Sequence, residues 1–239
     1  MIVDIFHSAM PCHAWQESLC STGSLPEFIP AIVRAEMWAY PRAMSARSEP
    51  VTLAEAFAQV PRHRFLPADQ RGWSGSNVPL EIGCGQTNSQ PSTVADMLAL
   101  LGVEPGETVL DLGYGSGWTT ALLGALVGPG GRVIGVERHR ELLDRSISAV
   151  AGLGIDCLEF AEATPGVLGR PERAPFDRIL VSAGADELPD SLVAQLSVGG
   201  VMVIPVAEVM LRVERTGAAA GAVTITRHGR YRFVPLITE

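Results

Sequence analysis

Two clusters in the 239-residue chain have residue types and spacings that could do chemistry. The first is Asp111-Leu112-Gly113-Tyr114-Gly115-Ser116-Gly117, with Glu137 twenty residues beyond Gly117. Glycines at alternate positions let a backbone pass close beneath a bulky ligand, because no Cβ intervenes and positive φ costs little. A carboxylate at the end of the following strand can accept hydrogen bonds from both hydroxyls of a ribose. The second cluster is Gly85-Gln86-Thr87-Asn88-Ser89-Gln90-Pro91, a polar loop ahead of a helix. Polar loops of this kind commonly carry function. The plainer use of Ser89 is a turn hydroxyl bonding its own backbone ahead of proline.

The glycine spacing separates the ligands. In a dinucleotide loop, GxGxxG, the third glycine would fall at Trp118 if counted from Gly113, or at Thr120 if counted from Gly115. A phosphate-binding P-loop needs GK[ST], which is missing here. The acidic-x-GxGxG loop of S-adenosylmethionine (SAM) methyltransferases fits in register from Asp111 to Gly117. A glycine-rich turn that binds nothing is the remaining alternative. Asp111, Glu137 and the strand pattern together favour SAM.

The elements that must position these residues are legible from periodicity. Val94, Met97, Leu98 and Leu101 mark a helix face. Strands are expected at 107–113, 132–137, 155–160, 178–183 and 201–206. Helices are expected at 118–127, along Leu143, Ile147, Val150 and Ala151, and from Leu188 to Leu196, the last closed by Gly199-Gly200. Alternating strands and helices predict an α/β fold with a doubly wound, mostly parallel, Rossmann-like sheet. Residues 209–217 and 222–229 add an antiparallel strand pair. Thr52 and Glu55 form a capping box. Residues 1–43 show no sustained period and read as an N-terminal extension or a mis-set start, with the catalytic domain at 44–239.

Composition excludes several classes. All 18 basic residues are arginine, so lysine chemistry is ruled out. A net charge of −8 argues against nucleic acid or an anionic membrane as partner. No stretch reaches the ~18 apolar residues of a membrane span, and no signal peptide is evident. His7, Cys12, His13 and Cys20 fit no standard metal site, so no metal is expected. The four scattered cysteines read as reduced thiols of a cytoplasmic protein, taken as a monomer. Trp73 and Trp118 are expected in the core.

With "VPRHRFLP" (60–67), "GQTNSQP" (85–91), "APFDRILVSA" (174–183), "GGVMVIPV" (199–206) and "RFVPL" (232–236), the chain resembles the protein-L-isoaspartate O-methyltransferase family over about residues 51–239. The resemblance implies methyl transfer from SAM to a carboxylate of abnormal aspartyl residues in damaged proteins or peptides. It also implies Ser89 as the catalytic residue beside that carboxylate, with Thr87 near it. Asp111, Gly113, Gly115, Gly117 and Glu137 would hold SAM. Where the family shows Gly-Asp-Gly, this chain has Ala161-Glu162-Ala163, so Glu162 and Ala163 fall to the adenine. Asn77 stands where the family commonly has Asp. These departures keep two alternatives open: a peptide-tailoring or small-molecule methyltransferase, and a SAM-binding partner protein without catalysis.

Overall fold

The structure, a computed structural model, describes residues 50–219 and 221–237. The extension 1–43, its histidines and cysteines, and the alternative start at Met44 lie outside the described residues.

Chain order runs α1 (Leu53–Gln59), two 3-10 turns (Arg62–Phe65 and Arg71–Trp73), the hairpin strands β1 (Leu80–Gly83) and β2 (Gln86–Asn88), and α2 (Pro91–Leu101). It continues with β3 (Thr108–Leu112), α3 (Trp118–Val127), β4 (Arg132–Glu137), α4 (Arg140–Val150) and β5 (Leu158–Glu162). Then come a 3-10 turn (Pro171–Arg173), β6 (Phe176–Val181), α5 (Asp190–Val193), β7 (Leu196–Val206), β8 (Val209–Arg215) and β9 (Val223–Arg230). The main sheet has the order β5-β4-β3-β6-β7-β8-β9. Strands β5 to β7 are parallel, and β8 and β9 add the expected antiparallel edge.

Strand order reverses at β3, with β4 on one side and β6 on the other, and ligands of open α/β sheets bind at the carboxyl ends beside such a point. Alternate residues serve opposite faces. Val109, Val133 and Leu180 join the core under α1 to α4, whereas Leu110, Ile134, Ile179 and Val181 join the core on the other face. Burying one such side chain stabilises the fold by about 1.5–3 kcal/mol. Helix α1 begins with the predicted capping box: the Glu55 amide donates to Thr52 Oγ1 (3.3 Å), and the Thr52 amide donates to Glu55 Oε2 (2.8 Å).

Several elements differ from the sequence expectation. The polar stretch before α2 is not all loop but holds the β1–β2 hairpin, whose tip places Gly83, Cys84 and Gly85 at positive φ. The helix expected to Leu196 is a single turn, and Gly199-Gly200 does not close it. β7 starts at Leu196, and the glycine pair forms a bulge opposite Phe176–Arg178, because Gly199 has φ +86°. β5 starts three residues later than expected, since Ile155 and Leu158 pack over Gly124 of α3, where a Cβ would lie 2.7 and 2.5 Å from them. β6 ends at Val181, which leaves Ser182 and Ala183 beyond the strand. On α4 the inward face is Leu142, Leu143 and Ser146, and Ile147 is half exposed.

Candidate active site

The glycine loop joins β3 to α3 at the switch point. Gly113, Gly115 and Gly117 have φ of +75°, +60° and +84°. The missing side chains also leave room for protein. A Cβ on Gly115 would lie 3.1 Å from Ile82 Cδ1, and one on Gly117 would lie 2.9 Å from Ser146 Cβ. Tyr114 turns inward, packing edge-on against Phe160 at 5.2 Å beside the bare face of Gly135.

Asp111 is fully buried beneath this loop. Its Oδ2 accepts from the hydroxyls of Thr119 (2.8 Å) and Thr120 (2.7 Å), which ties β3 to the first turn of α3. Burial pushes its carboxyl up to about 6, against the lowering effect of those two hydroxyls. Oδ1 has no partner among the described residues. Glu137, at the end of β4, is also buried. Its Oε1 accepts from the amides of Arg138 (2.8 Å) and His139 (3.0 Å), and Oε2 accepts from the amide of Gly115 (3.0 Å). A carboxylate offers about four acceptor sites, so Oε2 keeps one open. An unpartnered buried acceptor and an open carboxylate position fit a ligand bearing an ammonium and a ribose, as SAM does.

Glu162 ends β5 with its backbone in register with Glu137, and the Ala163 amide donates to Glu137 O (2.9 Å). The Glu162 side chain lies on the surface, paired with the exposed Arg140 at 3.2 Å. Thus Ala163 sits beside Glu137, whereas the Glu162 carboxylate is turned to an ion pair that solvent screens.

Thr87 and Ser89 line a cavity of about 740 Å³ together with Ser92, Thr93, Ser182 and the segment Gly229–Val234. The 231–236 segment reaches this place by returning from the sheet edge. The Tyr231 hydroxyl donates to Asp96 Oδ2 on α2 (2.9 Å), and the Gly184 amide donates to Val234 O (2.8 Å). Ser182 connects the two halves. It lines the cavity, and its amide donates to Leu112 O (2.9 Å) at the root of the glycine loop, while Ala183 Cβ lies 3.7 Å from where a Gly113 Cβ would stand.

Residues 43–239 match the family model for protein-L-isoaspartate(D-aspartate) O-methyltransferase (PCMT). The chain belongs to this family. A protein-L-isoaspartate O-methyltransferase of Methanopyrus kandleri is 46% identical over 191 residues, covering 78% of this chain and 84% of the relative. One of Aeropyrum pernix is 44% identical over 189 residues, covering 77% and 72%. A crystal structure from Plasmodium falciparum, assigned to the same activity and in complex with S-adenosyl-L-homocysteine, is 26% identical with a TM-score of 0.69, covering 78% of this chain and 90% of that one.

Sequence reasoning missed how the family's other motif works. Arg62, in "VPRHRFLP", is buried beside the loop that carries Thr87 and Ser89, and burial lowers its guanidinium to about 10. It also stacks over Trp118, 5.4 Å from the ring centroid. Trp118 is core as expected, packed edge-on against Phe57, but Trp73 is half exposed, contrary to expectation.

Asn77 has a structural task. Its Oδ1 accepts from the Ser92 amide (3.0 Å) in the first turn of α2, where the N-cap residue Gln90 makes no side-chain cap bond. A carboxylate at the same place would accept equally and meet the helix dipole. Asn77→Asp is therefore expected to stabilise the protein by about 0.3–1 kcal/mol in urea denaturation at neutral pH. A loss of stability would contradict the capping role.

Proposed function

We propose that the protein is a SAM-dependent carboxyl methyltransferase whose acceptor is the free carboxylate of an L-isoaspartyl residue in a damaged protein or peptide. The observation that carries the reading is Ser182, which lines the cavity of Thr87 and Ser89 and bonds to the root of the glycine loop. A donor on that loop and an acceptor in that cavity would share one wall. Bound SAM supplies an electrophilic methyl group on a sulfonium.

The Oδ1 of Asp111 would take the ammonium of SAM, and Glu137 would take its ribose. Ala163, beside Glu137, would border the adenine, with Glu162 available once it leaves Arg140. An acceptor carboxylate has a pKa near ~4 and arrives ionised, so no general base is required. The Thr87 and Ser89 hydroxyls hold it by hydrogen bonds, without the strong ion pair that would lower its nucleophilicity. Alignment of this kind can supply roughly 7–11 kcal/mol in favourable cases. The capping bond of Asn77 accounts for one of the two departures that kept a peptide-tailoring or small-molecule role open.

The net charge of −8 supports a reading without nucleic acid or a membrane surface as partner. No helix among the described residues is long and apolar enough to cross a membrane. The free thiols of Cys84 and Cys157 support a reducing, cytoplasmic setting.

The test is methyl incorporation into an isoaspartyl peptide and into the same peptide with normal aspartate. Equal incorporation into both would reject the acceptor. Ser89→Ala is expected to lower kcat/KM by about 10–100-fold, the scale of one hydrogen bond to a charged group. Its affinity for S-adenosylhomocysteine should stay unchanged in calorimetry, and a parallel loss of both would contradict the assigned role.

A further inference from the structure

Arg62 makes six hydrogen-bond contacts, all to amide carbonyl oxygens. Nε donates to Asn88 Oδ1 (2.6 Å). Nη1 donates to the backbone of Ser74 (3.4 Å) and Ser76 (2.9 Å). Nη2 donates to the backbone of Val78 (2.9 Å), Asn88 (3.1 Å) and Ser89 (3.0 Å). One guanidinium thus grips both flanks of the acceptor loop, 74–78 and 88–89. Burying such a cation without a carboxylate is costly unless its donors are satisfied, so the backbone around it has little freedom to move alone.

The bonds beyond Arg62 have a fixed direction. Guanidinium has donors only, so Asn88 must present Oδ1 to it, and this orients the amide. Asn88 Nδ2 therefore donates to Ser116 Oγ at 2.9 Å. Ser116 is a glycine-loop residue, and its own proton is left to donate elsewhere. It borders a second cavity of about 560 Å³, with Ile82 and Leu142. Asn88 lies between Thr87 and Ser89, which line the first cavity, and its side chain bonds Ser116, which lines the second. Successive strand residues face opposite ways, so Thr87 is exposed on the cleft side while the Asn88 side chain is buried toward Ser116.

We propose that Arg62, Asn88 and Ser116 form a positioning relay by which cofactor occupancy of the glycine loop sets the shape of the acceptor loop. The inference rests on the function proposed above. A ligand that engages the glycine loop fixes Ser116. Ser116 fixes the Asn88 amide, and Arg62 distributes that constraint to residues 74–78 and 89. The coupling is reciprocal, so an occupied acceptor loop also holds the glycine loop in its binding form.

Hydrogen exchange with saturating S-adenosylhomocysteine tests the relay without any acceptor. In the wild type, amides of 113–120 and of 74–90 should both exchange about five-fold more slowly, or slower still, within the range of typical coupling. In Ser116→Ala the protection of 113–120 should remain and that of 74–90 should vanish. Ser116→Thr, which keeps the hydroxyl, should restore it. Arg62→Lys keeps the charge but cannot grip both flanks, and it should also lose the protection of 74–90.

Protection of 74–90 that persists in Ser116→Ala would overturn the relay, as would wild-type protection confined to 113–120. Failure of S-adenosylhomocysteine to bind the wild type in calorimetry would overturn the cofactor reading and the relay with it. Binding without the distal protection would overturn the relay alone.

Discussion

Gly117→Ala is expected to lower the unfolding free energy by about 2–5 kcal/mol. Two costs add. A φ of +84° carries a penalty of roughly 1–2 kcal/mol for any residue with a Cβ. The new methyl would also lie 2.9 Å from Ser146 Cβ, 3.1 Å from its Oγ and 3.4 Å from Phe160 Cε1. Ser146 cannot swing aside freely, because it is fully buried and its hydroxyl donates to Leu142 O at 2.8 Å. Overpacking of this kind costs about 1–3 kcal/mol. Urea denaturation measures the change directly, and a loss below about 0.5 kcal/mol would show that the loop and α4 are not locked as described. Affinity for S-adenosylhomocysteine should fall with it, since the same loop is displaced.

Asp111→Asn is expected to become more stable relative to the wild type as pH rises. The sign follows from the raised carboxyl. An unfolded Asp titrates near ~3.9, whereas in the folded protein burial holds it at about 6. Below pH ~4 both states are protonated and the residue favours neither. Between pH ~4 and 6 the unfolded chain ionises first, so the wild type loses stability, and above about 6 the loss is complete. The gap between the two values corresponds to about 3 kcal/mol. The substituted amide would keep an acceptor for the Thr119 and Thr120 hydroxyls and would not titrate. Denaturation of the cofactor-free proteins at pH 4, where the unfolded carboxyl is already about half ionised, and at pH 7 should show the difference between variant and wild type growing by about 2 kcal/mol. A constant difference would mean that Asp111 titrates normally.

The parallel sheet was legible because β3 and β4 carry buried apolar runs, Val109-Leu110 and Val133–Val136, and α3 is bounded by glycines at both ends. The proposed cofactor loop was legible as a structural unit for a related reason, since Gly113, Gly115, Gly117, Asp111 and Glu137 are local in sequence and their spacing carries the loop geometry. Boundaries failed where tertiary packing overrode local pattern. Gly199-Gly200 resembles a helix stop but forms a bulge, and Ile155 and Cys157 are apolar because they cover α3 rather than extend β5. The proposed acceptor cleft was legible only through resemblance, because its parts are scattered. Ser89 shares a cavity with Ser182 and the Gly229–Val234 segment across long separations, and Arg62 reaches Asn88 over 26 residues. An isolated arginine after a proline carries no local sign that it will be buried. The surplus of carbonyl acceptors in an irregular loop nearby is the only hint.

The returning 231–236 segment has a consequence for synthesis. Chains leave the ribosome from the N-terminus, and everything needed for the glycine loop, from Arg62 to Ser182, precedes this segment. The proposed cofactor half can therefore assemble on the nascent chain while the proposed acceptor cleft still lacks a wall. Only when Tyr231 docks on Asp96 and Val234 on Gly184 is the cleft complete. On the proposed function, a ribosome-bound chain arrested before residue 231 is expected to bind cofactor yet transfer no methyl group, with catalytic competence arriving late in translation.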